Sequence, residues 1–188
     1  MEVLDTLILA RPIPSGYTYT LSSQLGNFLT LAERQFGGRD RTYTILGIEF
    51  QDDVPRIWYP GNCRHVVVQL NSRCATDYFE ALFELAHECV HLLSPTGKND
   101  GNVLEEGLAT LFSVRYLTRD LGQAQFQITN PRYISASSAA EQLLNIDPDA
   151  VIKLRKNEPT ISRITAEQII KHYPVVSESL AGQLGSRF

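Results

Sequence analysis

The chain has 188 residues, of which 43% are hydrophobic and 20% are charged, and its formal net charge is −4. This composition is that of an ordinary globular protein and excludes collagen-like and low-complexity chains. The basic residues are scattered rather than clustered, so the sequence predicts no nucleic-acid partner and no binding to an anionic membrane surface.

The chain start and the cysteines bear on the compartment. Residues 1–5 lack the basic start and the apolar stretch of a secretory signal, and no apolar run approaches the roughly 20 residues that span a bilayer. Cys63, Cys74 and Cys89 form neither a C-x-x-C pair nor a disulfide framework. Together these features predict a cytoplasmic protein.

The first part of the chain mixes helix and strand patterns. Proline and glycine within residues 1–21 predict an extended arm or a short strand, and apolar residues recur at helical spacing over 22–36. Three β-branched or aromatic runs follow, at 42–50, 56–59 and 64–70. Because the connections between them are short, these three strands are expected to form an antiparallel or mixed sheet.

The rest of the chain has the apolar period of helices. One helix is predicted from Thr76 or Asp77 to the Ser94-Pro95 break, and a second over 103–121 after a loop that contains two glycines. The remaining residues predict helices over 137–146, from Asp147 onwards, and over 159–173.

The strongest functional signal is an H-E-x-x-H motif, His87-Glu88-Cys89-Val90-His91, within the first of these helices. Residues four apart lie on one helix face about 6 Å apart along the axis, so both imidazoles can converge on one ion. Glu88 can reach a water at that ion without being a ligand. Two imidazoles and a carboxylate on an otherwise apolar helix would be costly to bury without a partner. Cys89 points away from both histidines and is predicted to be a core residue.

A catalytic zinc site needs a third protein ligand and one open position. Glu105 and Glu106, 14 and 15 residues after His91, are the candidates. The intervening loop allows the second helix to fold back along the first, and spacing alone leaves both glutamates open.

Two segments carry a resemblance to a known family. LFELAHECVHLL at 82–93, followed by VLEEGLATLFS at 103–113, resembles the gluzincin clan of zinc metallopeptidases, whose sites pair H-E-x-x-H with a glutamate on the next helix. The Glu-Gly-Leu-Ala run resembles the Glu-Gly-Phe-Ala around the third ligand in aminopeptidase-like members. The resemblance therefore implies one zinc ion per chain, held by His87, His91 and Glu106, with Glu88 as the general base.

The resemblance also implies an α+β, zincin-like fold, in which a small mixed or antiparallel sheet packs on the H-E-x-x-H helix and a C-terminal helical segment follows. Strand 64–70 is the candidate for the edge strand that borders the substrate cleft. We predict a catalytic domain over 1–123 and a helical segment over 124–188, which can pack as part of the same domain.

The chain departs from the family pattern at two points. Many members carry an acidic residue four positions after the third ligand, where this chain has Thr110, so support for the ligands is expected from Glu105, Asp100 or a backbone carbonyl. The oxyanion of the reaction also needs a donor besides the metal. Tyr133, His172 and Tyr173 are the candidates, and Tyr133 is favoured because it follows a predicted loop.

These residues together predict a zinc-dependent hydrolase, and most specifically a peptidase that acts on a peptide or protein substrate. Two alternatives stay open: a zinc-containing domain that binds a peptide or protein without cleaving it, and a zinc amidohydrolase of a small substrate. The intact Glu88 favours an enzyme, because a general base is not needed merely to hold zinc.

Overall fold

The protein has an α+β architecture. Within residues 3–98 and 100–188, which the computed structural model describes, the chain forms eight α-helices, one three-stranded sheet and one small hairpin. The helices are α1 (Val3–Ile8), α2 (Leu21–Phe36), α3 (Tyr78–His91), α4 (Val103–Arg115), α5 (Pro131–Ile146), α6 (Ala150–Leu154), α7 (Ala166–His172) and α8 (Glu178–Gly185). The strands are β1 (Pro12–Ile13), β2 (Gly16–Tyr17), β3 (Thr44–Gln51), β4 (Arg56–Trp58) and β5 (His65–Asn71).

Residues 3–17 do not form the extended arm that is one of the two alternatives predicted for residues 1–21. They form α1, which buries Leu7, and then the hairpin of β1 and β2. The short strands β1 and β2 agree with the alternative of a short strand, whereas neither their pairing nor α1 was predicted. Helix α2 begins close to its expected start, because Thr20 and Ser23 form a reciprocal capping box at its first turn.

The strand order corrects a second expectation. The sheet is mixed, with order β3-β5-β4, and β5 pairs in parallel with β3 and antiparallel with β4. Strand β5 is therefore central, and β4 is the edge strand beside the H-E-x-x-H helix. Five consecutive residues of β5, from Val66 to Leu70, are buried. A continuous apolar run is typical of a strand covered on both faces, so the prediction that it forms the edge was wrong.

The core is built around α3. Helices α2, α3, α4 and α5 pack in succession, and the sheet adjoins α3. The hydrophobic core includes residues from both predicted parts of the chain, such as Phe28, Leu85, Leu143 and Ile169. The division near residue 123 stays a prediction.

Helices α4 and α5 approach each other closely at Gly107. A Cβ atom built on Gly107 would lie 2.2 Å from the carbonyl oxygen of Ala136, a distance that atoms cannot adopt. Helix α5 begins at Pro131, six residues before its predicted start, because Asn130 accepts a hydrogen bond from the Arg132 N–H and proline suits the first turn. Tyr133 consequently lies in the first turn of α5.

The segment after α8 returns to the beginning of α4. The Val103 N–H donates to the Ser186 carbonyl at 2.9 Å, Asn102 and Arg187 form an isolated β-bridge, and the Phe188 N–H donates to the Gly101 carbonyl at 3.1 Å. None of the helices in the described part of the chain combines the length and apolar character needed to cross a bilayer.

Candidate metal centre

Helix α3 presents the H-E-x-x-H side chains at the wall of a cavity. The helix begins at Asp77, whose carboxylate accepts hydrogen bonds from the Phe79 and Glu80 N–H groups, both at 3.0 Å. Further along α3, the ring centroids of His87 and His91 lie 5.1 Å apart, as expected for two side chains one turn apart on the same face.

The first turn of α4 is fixed by Asn102. Its side-chain oxygen accepts a hydrogen bond from the Glu105 N–H at 2.9 Å, which caps the helix. Its amide nitrogen donates to the carbonyls of Ile161 and Ile164, both at 3.1 Å. Asn102 is buried, so these bonds hold the start of α4 firmly against the 161–164 segment.

Glu106 lies against both histidines. Its Oε2 is 3.3 Å from Nε2 of His87, and its Oε1 is 3.6 Å from Nε2 of His91. Ligands at about 2.0–2.1 Å from a tetrahedral zinc ion are separated from one another by roughly 3.3–3.4 Å. The two Glu106–histidine separations are close to this value, although they involve different carboxylate oxygens, and the described residues that bring one ligand atom each within 4.8 Å of one another are His87, Glu88 and His91.

Glu105 contacts a different atom. Its Oε1 lies 3.6 Å from Nδ1 of His91, the ring nitrogen on the side away from Glu106. A carboxylate at this nitrogen fixes the orientation of a ligating imidazole and the position of its proton. Within the described residues, the Thr110 hydroxyl is buried without a hydrogen-bond partner. Of the expected supports, Glu105 contacts a histidine of the motif, His91.

The Glu88 carboxylate lies near the ring nitrogens of His87 and His91. One of its carboxylate oxygens and one ring nitrogen each of His87 and His91 lie within 4.8 Å of one another. Only 3% of Glu88 is exposed. Burial raises the pKa of Glu88 above its ordinary value, against the opposing effect of the two histidines, and a raised pKa makes a carboxylate a stronger base.

The electrostatics of the cluster favour a cation. Burial alone would raise the pKa of Glu106, but His91 and His87 outweigh it and lower that pKa to about 2. Burial alone would lower the pKa of His91, but Glu106 and Glu105 outweigh it and raise that pKa to about 10. The carboxylates thus create a negative potential at the imidazoles, and such a potential also attracts a divalent metal ion. Two histidines and a glutamate suit zinc among other divalent ions.

Tyr133 lies beside this cluster, whereas the other two candidate oxyanion donors do not. The ring of Tyr133 is 5.8 Å from that of His87, and burial raises the pKa of its hydroxyl, which keeps the proton on it near neutral pH. The Tyr173 hydroxyl donates to Asp147 at 2.8 Å, and His172 contacts Asn157. Neither Tyr173 nor His172 lines the cavity at the metal centre, so both are excluded as donors there.

The cavity measures about 960 Å³. Edge strand β4 borders it with Arg56 and Ile57, and the α3 and α4 side chains described above form another wall. A cavity of this size accommodates a ligand of several residues. Because β4 is an edge strand, its outer backbone groups are available to an extended ligand.

Some residues of the cavity were not predicted. Phe83 precedes His87 by one helical turn, so spacing could have indicated it. Asn102, which caps α4 but does not line the cavity, precedes Glu105 by three residues, a capping pattern that sequence can reveal. Phe126 and Phe188 carry no local signal, because only the tertiary fold brings them to the site.

The cysteines take no part in the cluster. Cys89 is fully buried in the core, as predicted, and Cys74 is buried as well, whereas Cys63 is exposed.

Comparison of the chain with protein-family models, with curated proteins and with solved structures finds no match. Any function therefore has to be argued from the geometry of the metal centre and its cavity.

Proposed function

We propose that the protein is a zincin-like metallohydrolase that binds one zinc ion per chain through His87, His91 and Glu106. The observation that carries this proposal is the position of the Glu106 carboxylate, 3.3 and 3.6 Å from the two Nε2 atoms. These separations suit ligands of one ion. When bound, zinc supplies Lewis-acid polarisation of a carbonyl group and lowers the pKa of water towards about 7.

The protein side chains then have distinct roles. Glu88, whose carboxylate lies near both histidines, would take the proton of the attacking water and pass it to the leaving amine. Glu105 holds His91 through Nδ1. Tyr133 donates its hydroxyl proton in a hydrogen bond to the developing oxyanion.

Within this class, we propose that the protein is a peptidase resembling a minimal gluzincin. Two features support a peptide over a small amide: the cavity volume of about 960 Å³ and the edge strand β4 at its border. An extended peptide can add to such a strand through backbone hydrogen bonds and so cross the metal centre.

The first test is the zinc content of the purified protein, of Glu106→Gln and of the control Glu141→Gln. Glu141 is half exposed and its carboxylate contacts only Arg115 among the described residues. About one zinc per chain in the wild type and the control, with much less in Glu106→Gln, is expected. Full zinc occupancy in Glu106→Gln would contradict the ligand assignment.

The second test is cleavage of a peptide library by the wild type, Glu88→Gln and Tyr133→Phe. Glu88→Gln should retain zinc and lose cleavage, because glutamine cannot accept the water proton. Tyr133→Phe should retain zinc and lose about 100-fold in kcat, the usual effect of removing one oxyanion donor. If zinc-loaded wild-type protein cleaves no peptide in the library, the peptidase proposal fails.

A further inference from the structure

A row of aromatic rings flanks the metal-site histidine His87. On one side Phe83 lies 6.3 Å from His87, and Phe126 lies 4.9 Å from Phe83, measured between ring centroids. On the other side Tyr133 lies 5.8 Å from His87, and Phe188 lies 4.9 Å from Tyr133. All of these rings line the same cavity.

The pair of Phe83 and Phe126, which we call the aromatic pair, has features of a binding wall. Both residues are half-buried, so part of each ring faces the cavity. They come from different elements: Phe83 lies one turn before His87 on α3, and Phe126 lies in the segment between α4 and α5. Ile128 of that segment lines the cavity as well. Partly exposed apolar surface inside a pocket is what an apolar ligand group covers.

The charged groups on the same side of α3 already have partners within the protein. The buried carboxylate of Glu84 accepts a hydrogen bond from the Asn71 N–H at 2.8 Å and lies 3.4 Å from Arg73. Glu80 lies 3.0 Å from the same arginine. Arg73 is thus shared by Glu80 and Glu84, and on this side of His87 the aromatic pair supplies apolar surface to the cavity.

We propose that the aromatic pair determines specificity, and that it selects a large apolar side chain, such as phenylalanine or leucine, next to the bond that is cleaved. This inference rests on the proposed peptidase function and adds the substrate class. A ligand side chain packed against the cavity-facing surfaces of Phe83 and Phe126, which contact each other, would lie one helical turn from His87 and so beside the reacting carbonyl group. Burial of one such side chain discriminates against alanine by about tenfold or more.

The test uses blocked peptides that differ only in the residue on one side of the cleaved bond: phenylalanine, leucine, alanine, glutamate or lysine. Wild-type protein should prefer phenylalanine or leucine over alanine by at least about tenfold in kcat/KM. Phe126→Ala should reduce this preference about tenfold, and Phe83→Leu should reduce it less. The control is Phe79→Ala, one turn earlier on α3, because Phe79 is exposed and lies outside the cavity. Its preference should equal that of the wild type.

A binding measurement separates this proposal from the peptidase proposal. The same peptides are titrated into Glu88→Gln by calorimetry, and into Glu88→Gln combined with Phe126→Ala. A preference for phenylalanine in Kd that Phe126→Ala removes supports the apolar subsite even if no peptide is cleaved. Equal weakening of all peptides by Phe126→Ala, or a wild-type preference for glutamate or lysine, overturns it.

Discussion

Glu105 and Glu106 are neighbours in the chain, yet their carboxylates meet different atoms of the histidines. Glu106 faces Nε2 of both His87 and His91, whereas Glu105 faces Nδ1 of His91. Consecutive residues on a helix point about 100° apart, so one can meet the metal while the other supports a ligand from behind. The difference predicts unequal effects of the same substitution at the two positions.

Glu105→Gln is expected to weaken zinc binding by about 10- to 100-fold, the usual effect of losing a carboxylate that orients a ligand. Glu106→Gln should weaken zinc binding further, because it removes a ligand. Competition with a chromophoric chelator measures both affinities, with Glu141→Gln as the control. If Glu105→Gln loses zinc more completely than Glu106→Gln, the two roles are reversed.

The sequence could predict part of this centre and not the rest. His87, Glu88 and His91 follow from one helical motif, because their relative positions depend only on helix geometry. To choose between Glu105 and Glu106 one has to know how α4 is rotated about its axis. The hydrogen bonds from Asn102 to the carbonyls of Ile161 and Ile164, which lie far along the chain, help to fix that rotation. Spacing alone does not contain that information.

At the scale of elements, the packing of α4 against α5 brings Glu106 of α4 and Tyr133 of α5 to the same cavity. Gly107 allows this contact, because any side chain there would collide with the Ala136 backbone. This close packing explains why position 107, in the Glu-Gly-Leu-Ala run, is a glycine. A helical glycine normally destabilises a helix by about 1 kcal/mol relative to alanine, so its presence here has to be compensated by this close approach.

Gly107→Ala is therefore expected to lower the free energy of unfolding by about 1–3 kcal/mol, the usual cost of overpacking, although alanine is the better helix former. Gly26→Ala is the matched control, since a Cβ on Gly26 in α2 meets nothing within 4 Å. It should raise stability by up to about 1 kcal/mol. Urea denaturation measures both, and equal stabilisation by the two substitutions would contradict the close contact.

Arg155 joins the C-terminal helices to the end of the metal-site helix. Its guanidinium donates to the carbonyls of Phe36, Gly37, Gly38, Leu93 and Pro159 at 2.8 to 3.2 Å. These carbonyls include groups at or just beyond the C-termini of α2 and α3, where a cation is favourable. A planar guanidinium with its five N–H donors suits this arrangement, and a lysine ammonium does not.

Arg155→Lys should accordingly lower the free energy of unfolding by about 1–3 kcal/mol, because three part-buried and two exposed carbonyls lose their charged donor. Thermal or urea unfolding measures the change. Arg163→Lys is the control, because Arg163 is exposed and its side chain makes no hydrogen bond among the described residues. A change in Arg155→Lys no larger than in the control would refute this role.

At the scale of the whole molecule, the sequence patterns predict where the strands lie along the chain but not their order in the sheet. All three strands of the sheet lie close to their predicted positions, because β-branched and aromatic runs indicate extended backbone locally. Their order does not follow from such runs. The parallel pairing of β3 with β5 leaves β4 on the edge, and only the burial of Val66 to Leu70 on consecutive positions hints that β5 is central.

Acid stability depends on a contact between C-terminal helices. Asp147 Oδ2 accepts hydrogen bonds from Lys153 at 2.6 Å and from the Tyr173 hydroxyl at 2.8 Å, and these bonds lower the pKa of Asp147 to about 2. A carboxylate whose pKa is lowered on folding stabilises the folded state fully above its unfolded pKa, near 3.8, and loses that effect as the pH falls towards about 2.

Asp147→Asn is thus expected to be less stable than the wild type at pH 7, and the difference should shrink between pH 4 and pH 2. Urea denaturation midpoints at several pH values measure this. Asp120→Asn serves as the control, since Asp120 is exposed and its side chain makes no hydrogen bond or ion pair among the described residues. A difference from the wild type that stays constant down to pH 2 would contradict the assigned pKa.

The bonds of Asn102 to Ile161 and Ile164 also bear on the order of events during synthesis. These carbonyls lie 59 and 62 residues further along the chain, so they leave the ribosome well after His87, His91 and Glu106 have done so. A nascent chain that ends before residue 161 contains every proposed zinc ligand but not the contacts that orient α4. Under the proposed zinc assignment, the ligand set would reach its final geometry only after residues 161–164 have been synthesised and have met Asn102.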